Sequence, residues 1–222
     1  MGCSSGPDVV EDGLVLCLDA ASKRSYSGSG TTWIDTVGGN NGTLTNGPTF
    51  DSGNGGSIVF DGTDDYIDIE DSVADLLTNG YNFTFSTFSN LTSLAGYGSV
   101  LLGMSNGGTK AYFQVQSASW YFGTANPSNY ASGSYSFPTN IPALITFVQN
   151  SSNIYFYVND LLIGSSTSRI SDFSVYSGIR FGAYVSSGWE HTGKTYTVYL
   201  YNRALTADEV RRNYLSTKER YQ

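Results

Sequence analysis

The stretch TYTVYLYNRALTADEVRRNYLSTKERY, Thr195 to Tyr221, contains the two periodicities that decide the fold. Thr195 to Tyr201 alternates with period two. Tyr196, Val198 and Leu200 are expected to point inward and Tyr199 and Tyr201 outward, the pattern of a strand with one face on a core. Thr206-Ala-Asp-Glu209 then reads as a capping box. The threonine hydroxyl accepts the amide proton of the third helical residue, and Glu209 reaches back. Asp208 and Glu209 suit the positive end of a helix, and Val210 and Tyr214 lie one turn apart. The stretch therefore predicts a closing strand and one short amphipathic helix ending near Lys218.

Upstream, IYFYV (Ile154 to Val158) puts Ile154, Phe156 and Val158 on one face and Tyr155 and Tyr157 on the other. ALITFV (Ala143 to Val148) is its natural neighbour, and Asn159-Asp160 turns the chain into Leu161 to Ile163. Similar runs fall at Gly13–Asp19, Ser57–Phe60, Tyr66–Ile69, Asn82–Phe88, Ser99–Met104, Ala111–Gln116, Ser119–Phe122 and Ile179–Tyr184. The alternation in Asn82–Phe88 slips partway, which predicts a bulge. Residues 20–56, rich in Gly, Asn, Ser and Thr, read as irregular. About a dozen short strands between turn clusters predict an all-β, two-sheet antiparallel jelly-roll sandwich over 13–222, after an N-terminal arm over 1–12.

Composition agrees and removes several function classes. Of the 222 residues only 14% are charged, while 17 are tyrosine and 12 phenylalanine, types that suit a pleated, half-buried surface. The net charge of −8 repels phosphate backbones, so nucleic acid is not an expected partner. MGCSSGPDVVEDG at the start has neither a basic region nor an apolar run, so no secretory signal is expected there. No stretch approaches the ~20 apolar residues of a membrane span, so no membrane partner is expected. Asn41, Asn82, Asn90 and Asn150 each open an N-x-S/T triplet, attributed here to Asn/Ser/Thr-rich composition. Cys3 and Cys17 are read as free thiols.

Four ordered motifs resemble those of laminin-G-like jelly-roll domains of the concanavalin A superfamily, particularly domains in structural proteins of tailed, notably marine, bacteriophages. They are GLVLCLDAASKRSYSGSGTTWIDTVGGNNGTLTNGPTF (Gly13 to Phe50), GGSIVFDGTDDYIDI (Gly55 to Ile69), NIYFYVNDLLIGS (Asn153 to Ser165) and the closing strand and helix quoted above. In the third motif Asp160 stands where the family usually has glycine. Many members carry an acidic residue just before the "YNRAL" run. Here those positions are Thr195, Tyr196, Thr197 and Val198, a departure that speaks against a cation site depending on that carboxylate. The resemblance implies a sandwich that binds carbohydrate or protein.

Related glucanases on this fold use Glu-x-Asp-x-(x)-Glu on one strand, so that one acid attacks while another protonates. In Tyr66-Ile-Asp-Ile-Glu70 the acids Asp68 and Glu70 share a face, but Tyr66 replaces the first glutamate. No glycosidase activity is expected. Asp61, Asp64 and Asp65 crowd one turn and could hold Ca²⁺ through hard oxygen ligands, although the spacing is not that of an EF-hand. His191, the only histidine, has no nucleophile motif around it and is read as a loop residue. Trp33, Trp120 and Trp189 lie in or beside loops.

The surplus of aromatics is the remaining signal. Tyr155, Tyr157, Tyr199, Tyr201 and Trp189 are read as an outward interaction surface, because exposed aromatic patches invite association. The expected function is a non-enzymatic bacteriophage virion component, a capsid decoration or fibre protein made in the host cytoplasm. Its expected partners are other virion proteins and its own copies. The alternative is a carbohydrate-binding module for host or surface adhesion.

Overall fold

A computed structural model describes residues 8–69, 82–94, 98–105, 110–125, 128–168, 178–184 and 189–221. The strands run in chain order from β1 (Leu14–Asp19), β2 (Thr32–Trp33), β3 (Gly42–Thr45) and β4 (Thr49–Asp51) to β5 (Ser57–Asp61), β6 (Tyr66–Ile69), β7 (Phe83–Leu91) and β8 (Ser99–Ser105). They continue through β9 (Lys110–Gln116), β10 (Ser119–Ala125), β11 (Ser128–Ser134), β12 (Ala143–Gln149), β13 (Ile154–Val158), β14 (Leu161–Ser166), β15 (Gly178–Phe181) and β16 (Thr192–Tyr201). One helix, α1 (Ala207–Tyr221), closes the chain.

Two antiparallel sheets form the sandwich, as the alternation predicts. The first has the order β14-β13-β12-β7-β16-β5-β4, with β1 also paired to β16; the second has the order β11-β10-β9-β8-β15-β6-β3-β2. Between them lies one aromatic core. Phe113 stacks on Phe122 at 4.1 Å and meets Phe147 edge-to-face at 4.7 Å, and Trp120 stacks on Phe156 at 5.1 Å. Trp33 and Trp120 are both core residues.

The segment read as irregular, residues 20–56, holds β2, β3 and β4. A buried carboxylate organises it in place of apolar alternation. Asp35 accepts amide protons from Cys17, Val37, Gly38 and Asn40, at 2.9–3.0 Å. Each bond satisfies a main-chain donor that the ladders leave unpaired, one on the free side of β1 and three in the loop between β2 and β3. β11, also absent from the sequence reading, is SNYASGS and has no apolar pattern to betray it.

The bulge lies on β16, not on β7. The pairing of β7 with β12 is regular from Phe83 to Ser89. Its apparent slip arises because Phe88 belongs to the outer side, where it is buried with Leu144, Tyr196 and Tyr221. On β16 the register shifts between Thr195 and Thr197. The extra residue, Tyr196, is thereby turned out of the inter-sheet core, so of the three side chains expected inward only Val198 and Leu200 are.

A third layer covers the outside of the first sheet. Helix α1 starts with the capping box: Glu209 N donates to Thr206 Oγ1 at 3.3 Å and Thr206 N donates to Glu209 Oε2 at 2.8 Å. It runs to Tyr221, beyond the expected end, because its last turn is anchored. Arg220 and Tyr221 both bond the fully buried Asp19, at 2.7 and 3.0 Å. Beside the helix, Val9 and Val10 are buried, and Val10 N donates to Asn213 Oδ1 at 2.9 Å. The second half of the expected N-terminal arm thus packs on the sandwich; residues 1–7 lie outside the described part. Cys17 is disulfide-bonded, which corrects its reading as a free thiol; Cys3, the one other cysteine, lies outside the described residues. No described helix is long and apolar enough to cross a membrane.

Candidate functional site

The tyrosines expected to form an interaction surface do not form one. Tyr199 and Tyr201 are 0% exposed and Tyr157 is 7% exposed. They lie under α1 and the N-terminal segment, in a cluster with Val9, Val10, Leu14, Cys17, Val148, Leu205 and Val210. Tyr201 accepts a bond from Asn213 Nδ2 at 2.9 Å, and burial pushes the Tyr199 and Tyr201 phenols well above the usual tyrosine range. Tyr155 is half-buried against the same cluster. Tyr199 and Tyr201 do point outward from the sheet, but outward from the sheet is not outward from the molecule, because a third layer intervenes. Trp189 is different. It is half-buried in an aromatic trio, 4.8 Å from Tyr184 and 5.4 Å from Tyr112.

That trio belongs to the outer side of the second sheet. On β9, Ala111, Phe113 and Val115 enter the core, so Tyr112 points the other way. Ladder pairing places one residue per strand in a row across this sheet: Tyr112, Gly103, Arg180, Asp68 and Thr43. The flanking positions explain the orientation, since Ile67, Ile69, Ile179, Phe181 and Leu44 all pack into the core.

Three residues of this face form a unit. Arg180 Nε donates to Asp68 Oδ1 at 2.7 Å, with the side chains 30% and 43% exposed. The guanidinium also lies over the Tyr66 ring, 4.2 Å from its centroid. Tyr66 and Asp68 are two apart on β6 and so share the face. Thr43, exposed, is opposite Asp68, and Thr45, half-buried, is opposite Tyr66. An exposed cross-strand ion pair of this kind contributes about 0–1 kcal/mol to stability, so the fold gains little from it. Its chemistry is that of a polar recognition surface: fixed donors, a carboxylate, hydroxyls and aromatic rings.

The sequence reading singled out Tyr66 and Asp68 only as a broken acid motif. In the structure Tyr66 is the platform for Arg180, and Asp68 is tied to it. Glu70 lies outside the described residues. Arg180 itself was missed: an isolated arginine in GIRF has no local signal, and its partner is 112 positions away.

The turn after β5 does bring Asp61, Asp64 and Asp65 together, with carboxylate oxygens within 4.8 Å of one another. Asp65 is buried, and that burial, reinforced by the charges of Asp61 and Asp64, raises its pKa. Two of the carboxylates already serve the turn: Asp65 Oδ2 accepts from Asp61 N at 3.0 Å and Asp61 Oδ1 from Thr63 N at 2.7 Å. The same three oxygen donors are of the hard type that Ca²⁺ takes.

His191 sits outside the strands, as read, but it is buried. Its Nδ1 meets Ser99 Oγ at 3.0 Å and its ring lies 5.0 Å from Phe60. Burial lowers its pKa to about 4. A neutral histidine bonded to a lone serine, with no described acid to orient it, does not make a triad.

Comparison with known proteins identifies this architecture. The family model described as the concanavalin A-like lectin/glucanases superfamily matches residues 61–211, about two thirds of the chain. Among solved structures, domain 4 of AbnA, a GH43 extracellular arabinanase from Geobacillus stearothermophilus, in complex with arabinotriose, superposes with a TM-score of 0.72 at 16% identity. The match covers 96% of this chain and 100% of that one. Trypanosoma rangeli sialidase in complex with sialic acid superposes with a TM-score of 0.70 at 18% identity, covering 96% of this chain and 34% of that one. The chain thus spans about a third of the sialidase's length, and at such identities the likeness is one of fold. No curated protein matches.

Proposed function

Since the chain belongs to the concanavalin A-like lectin/glucanases superfamily, we propose that it is a non-catalytic carbohydrate-binding domain whose glycan lies on the outer face of the second sheet. The observation that carries this reading is the Arg180–Asp68–Tyr66 unit beside Thr43 and the aromatic trio. Sugars are bound by polar groups that bond hydroxyls and by aromatic rings that cover the apolar ring faces. The solved complexes of the AbnA domain with arabinotriose and of the sialidase with sialic acid support the substrate class.

The absence of catalysis rests on Tyr66. It stands where a glucanase-like first acid would be, so Asp68 has no partner at Tyr66 for a two-carboxylate mechanism. The bacteriophage virion setting is part of the proposal on the strength of the four ordered motifs. A lectin repeated over a particle would turn weak single-site binding into avidity.

The test is to screen the purified full chain against immobilised plant, microbial and animal glycans while assaying the same glycans for released reducing ends. Binding without release is expected. Failure to bind any glycan, or turnover of one, would overturn the proposal.

A further inference from the structure

We propose that the Arg180–Asp68 pair makes this surface selective for neutral sugars over acidic ones, by bridging two adjacent ring hydroxyls. The inference rests on the carbohydrate reading above and adds the ligand's charge class.

Arg180 is restrained on two sides. Its Nε is engaged by Asp68 Oδ1 at 2.7 Å, and one flat side of the guanidinium rests on Tyr66. Among the described residues neither terminal nitrogen has a hydrogen-bond partner, and neither does Asp68 Oδ2. A restrained donor edge and a free acceptor therefore stand side by side, with 30% and 43% of the two side chains in solvent. Pre-positioning by a ring lowers the ordering cost of each bond the guanidinium forms.

Neighbouring hydroxyls of a sugar match this pair. Each hydroxyl both donates and accepts, so one can accept from an Arg180 terminal nitrogen while the next donates to Asp68 Oδ2. Thr43, exposed and opposite Asp68 in the ladder, extends the polar strip. A sugar carboxylate has acceptors only. It would suit the guanidinium fork, but it would set its charge against Asp68 in a chain of net charge −8. The acidic turn at Asp61 and Asp64 precedes the same strand. Asp68 thus converts an arginine that would otherwise collect anions into half of a neutral, two-point contact.

Calorimetric titration of the full chain with neutral oligosaccharides (arabinan, glucan, mannan) and with uronic- or sialic-acid oligosaccharides tests this. The wild type should favour its best neutral ligand by at least about tenfold. Asp68→Asn should weaken that ligand about tenfold, the cost of losing one charge-assisted bond, and should narrow or reverse the discrimination against acidic sugars. Arg180→Lys, which cannot form the flat stacked fork, should weaken neutral binding without improving acidic binding. Both variants should melt like the wild type. Equal or tighter wild-type binding of acidic sugars, or unchanged affinity in folded Asp68→Asn, overturns the inference and leaves the carbohydrate reading standing. Absence of all glycan binding overturns both.

Discussion

Tyr199 and Tyr66 both stand on the outward side of a strand, one in each sheet, yet the first is completely buried and the second only half-buried. Alternation assigns a residue to one side of a sheet and is silent about what lies beyond that side. On the first sheet the helix and the segment from Asp8 to Asp12 add an apolar layer, so its outer face behaves as a second core. On the second sheet the described outer residues include Thr43, Asp68 and Arg180, which suit water or a polar ligand. The sealed face should therefore hold the stability and the polar face the binding.

The largest effect expected is from removing the seal. A chain truncated after Leu205 loses the fully buried Val210 and Tyr221 and uncovers Phe88, Leu144, Tyr196, Tyr199 and Tyr201. At ~1.5–3 kcal/mol per buried side chain, Val210 and Tyr221 alone account for roughly 3–6 kcal/mol, and the five uncovered side chains add to that, against a whole stability of ~5–15 kcal/mol for a typical domain. Circular dichroism should show no cooperative thermal transition. A transition at the full-length temperature would mean that the helix is an appendage.

Next comes the ion pair beneath the seal. Burial raises the Asp19 pKa, while Arg220 and the Tyr221 and Ala21 hydrogen bonds oppose that rise. Arg220→Met would leave the carboxylate buried without a countercharge, at a cost of about 3–5 kcal/mol. A carboxylate whose folded pKa is raised is penalised once the unfolded chain ionises above the ordinary value of 3.8. The variant's deficit, read from denaturant midpoints, should therefore shrink at acid pH. A deficit independent of pH would point to lost packing alone.

Acid should also weaken the wild type through His191. Its pKa is about 4 folded against 6.5 for the free side chain, so between those values only the unfolded chain takes up the proton. At ~1.4 kcal/mol per pKa unit, stability should fall by up to ~3 kcal/mol as pH drops from 6.5 to 4. His191→Gln should flatten that part of the profile. Below pH 4.5 Glu209 adds a further loss, because the Arg203 guanidinium and Thr206 hold its pKa at about 2. A wild-type profile that falls no more steeply between pH 6.5 and 4 than that of folded His191→Gln would contradict the burial of His191.

The smallest effects belong to the polar face. Asp68→Asn and Arg180→Lys should leave stability within ~1 kcal/mol of the wild type, with the melting temperature all but unchanged. A loss comparable to that of Arg220→Met would make the pair structural and weaken its assignment to binding.

Much of this contrast was legible in the sequence, though unevenly. The strands with strong alternation, such as Ile154–Val158, and the Thr206–Glu209 cap are local signals and stand where they were expected. β2 and β3 were not legible, because they are held by the Asp35 carboxylate and by tertiary pairing. The seal was half visible: the helix was expected, but nothing local says that Val210 and Val10 meet over Tyr201. The recognition unit was not visible at all, since it exists only once β6 and β15 are paired and Arg180 reaches Tyr66.

The claim that the two faces divide stability from binding is tested most directly by amide NMR of the full chain, titrated with a glycan found to bind it. Binding on the polar face predicts shift changes concentrated at Thr43, Thr45, Tyr66, Asp68 and Arg180, with Asp19, Tyr199, Tyr201 and Asn213 unmoved. Changes centred on the helix and the N-terminal segment, with Asp68 and Arg180 silent, would contradict it.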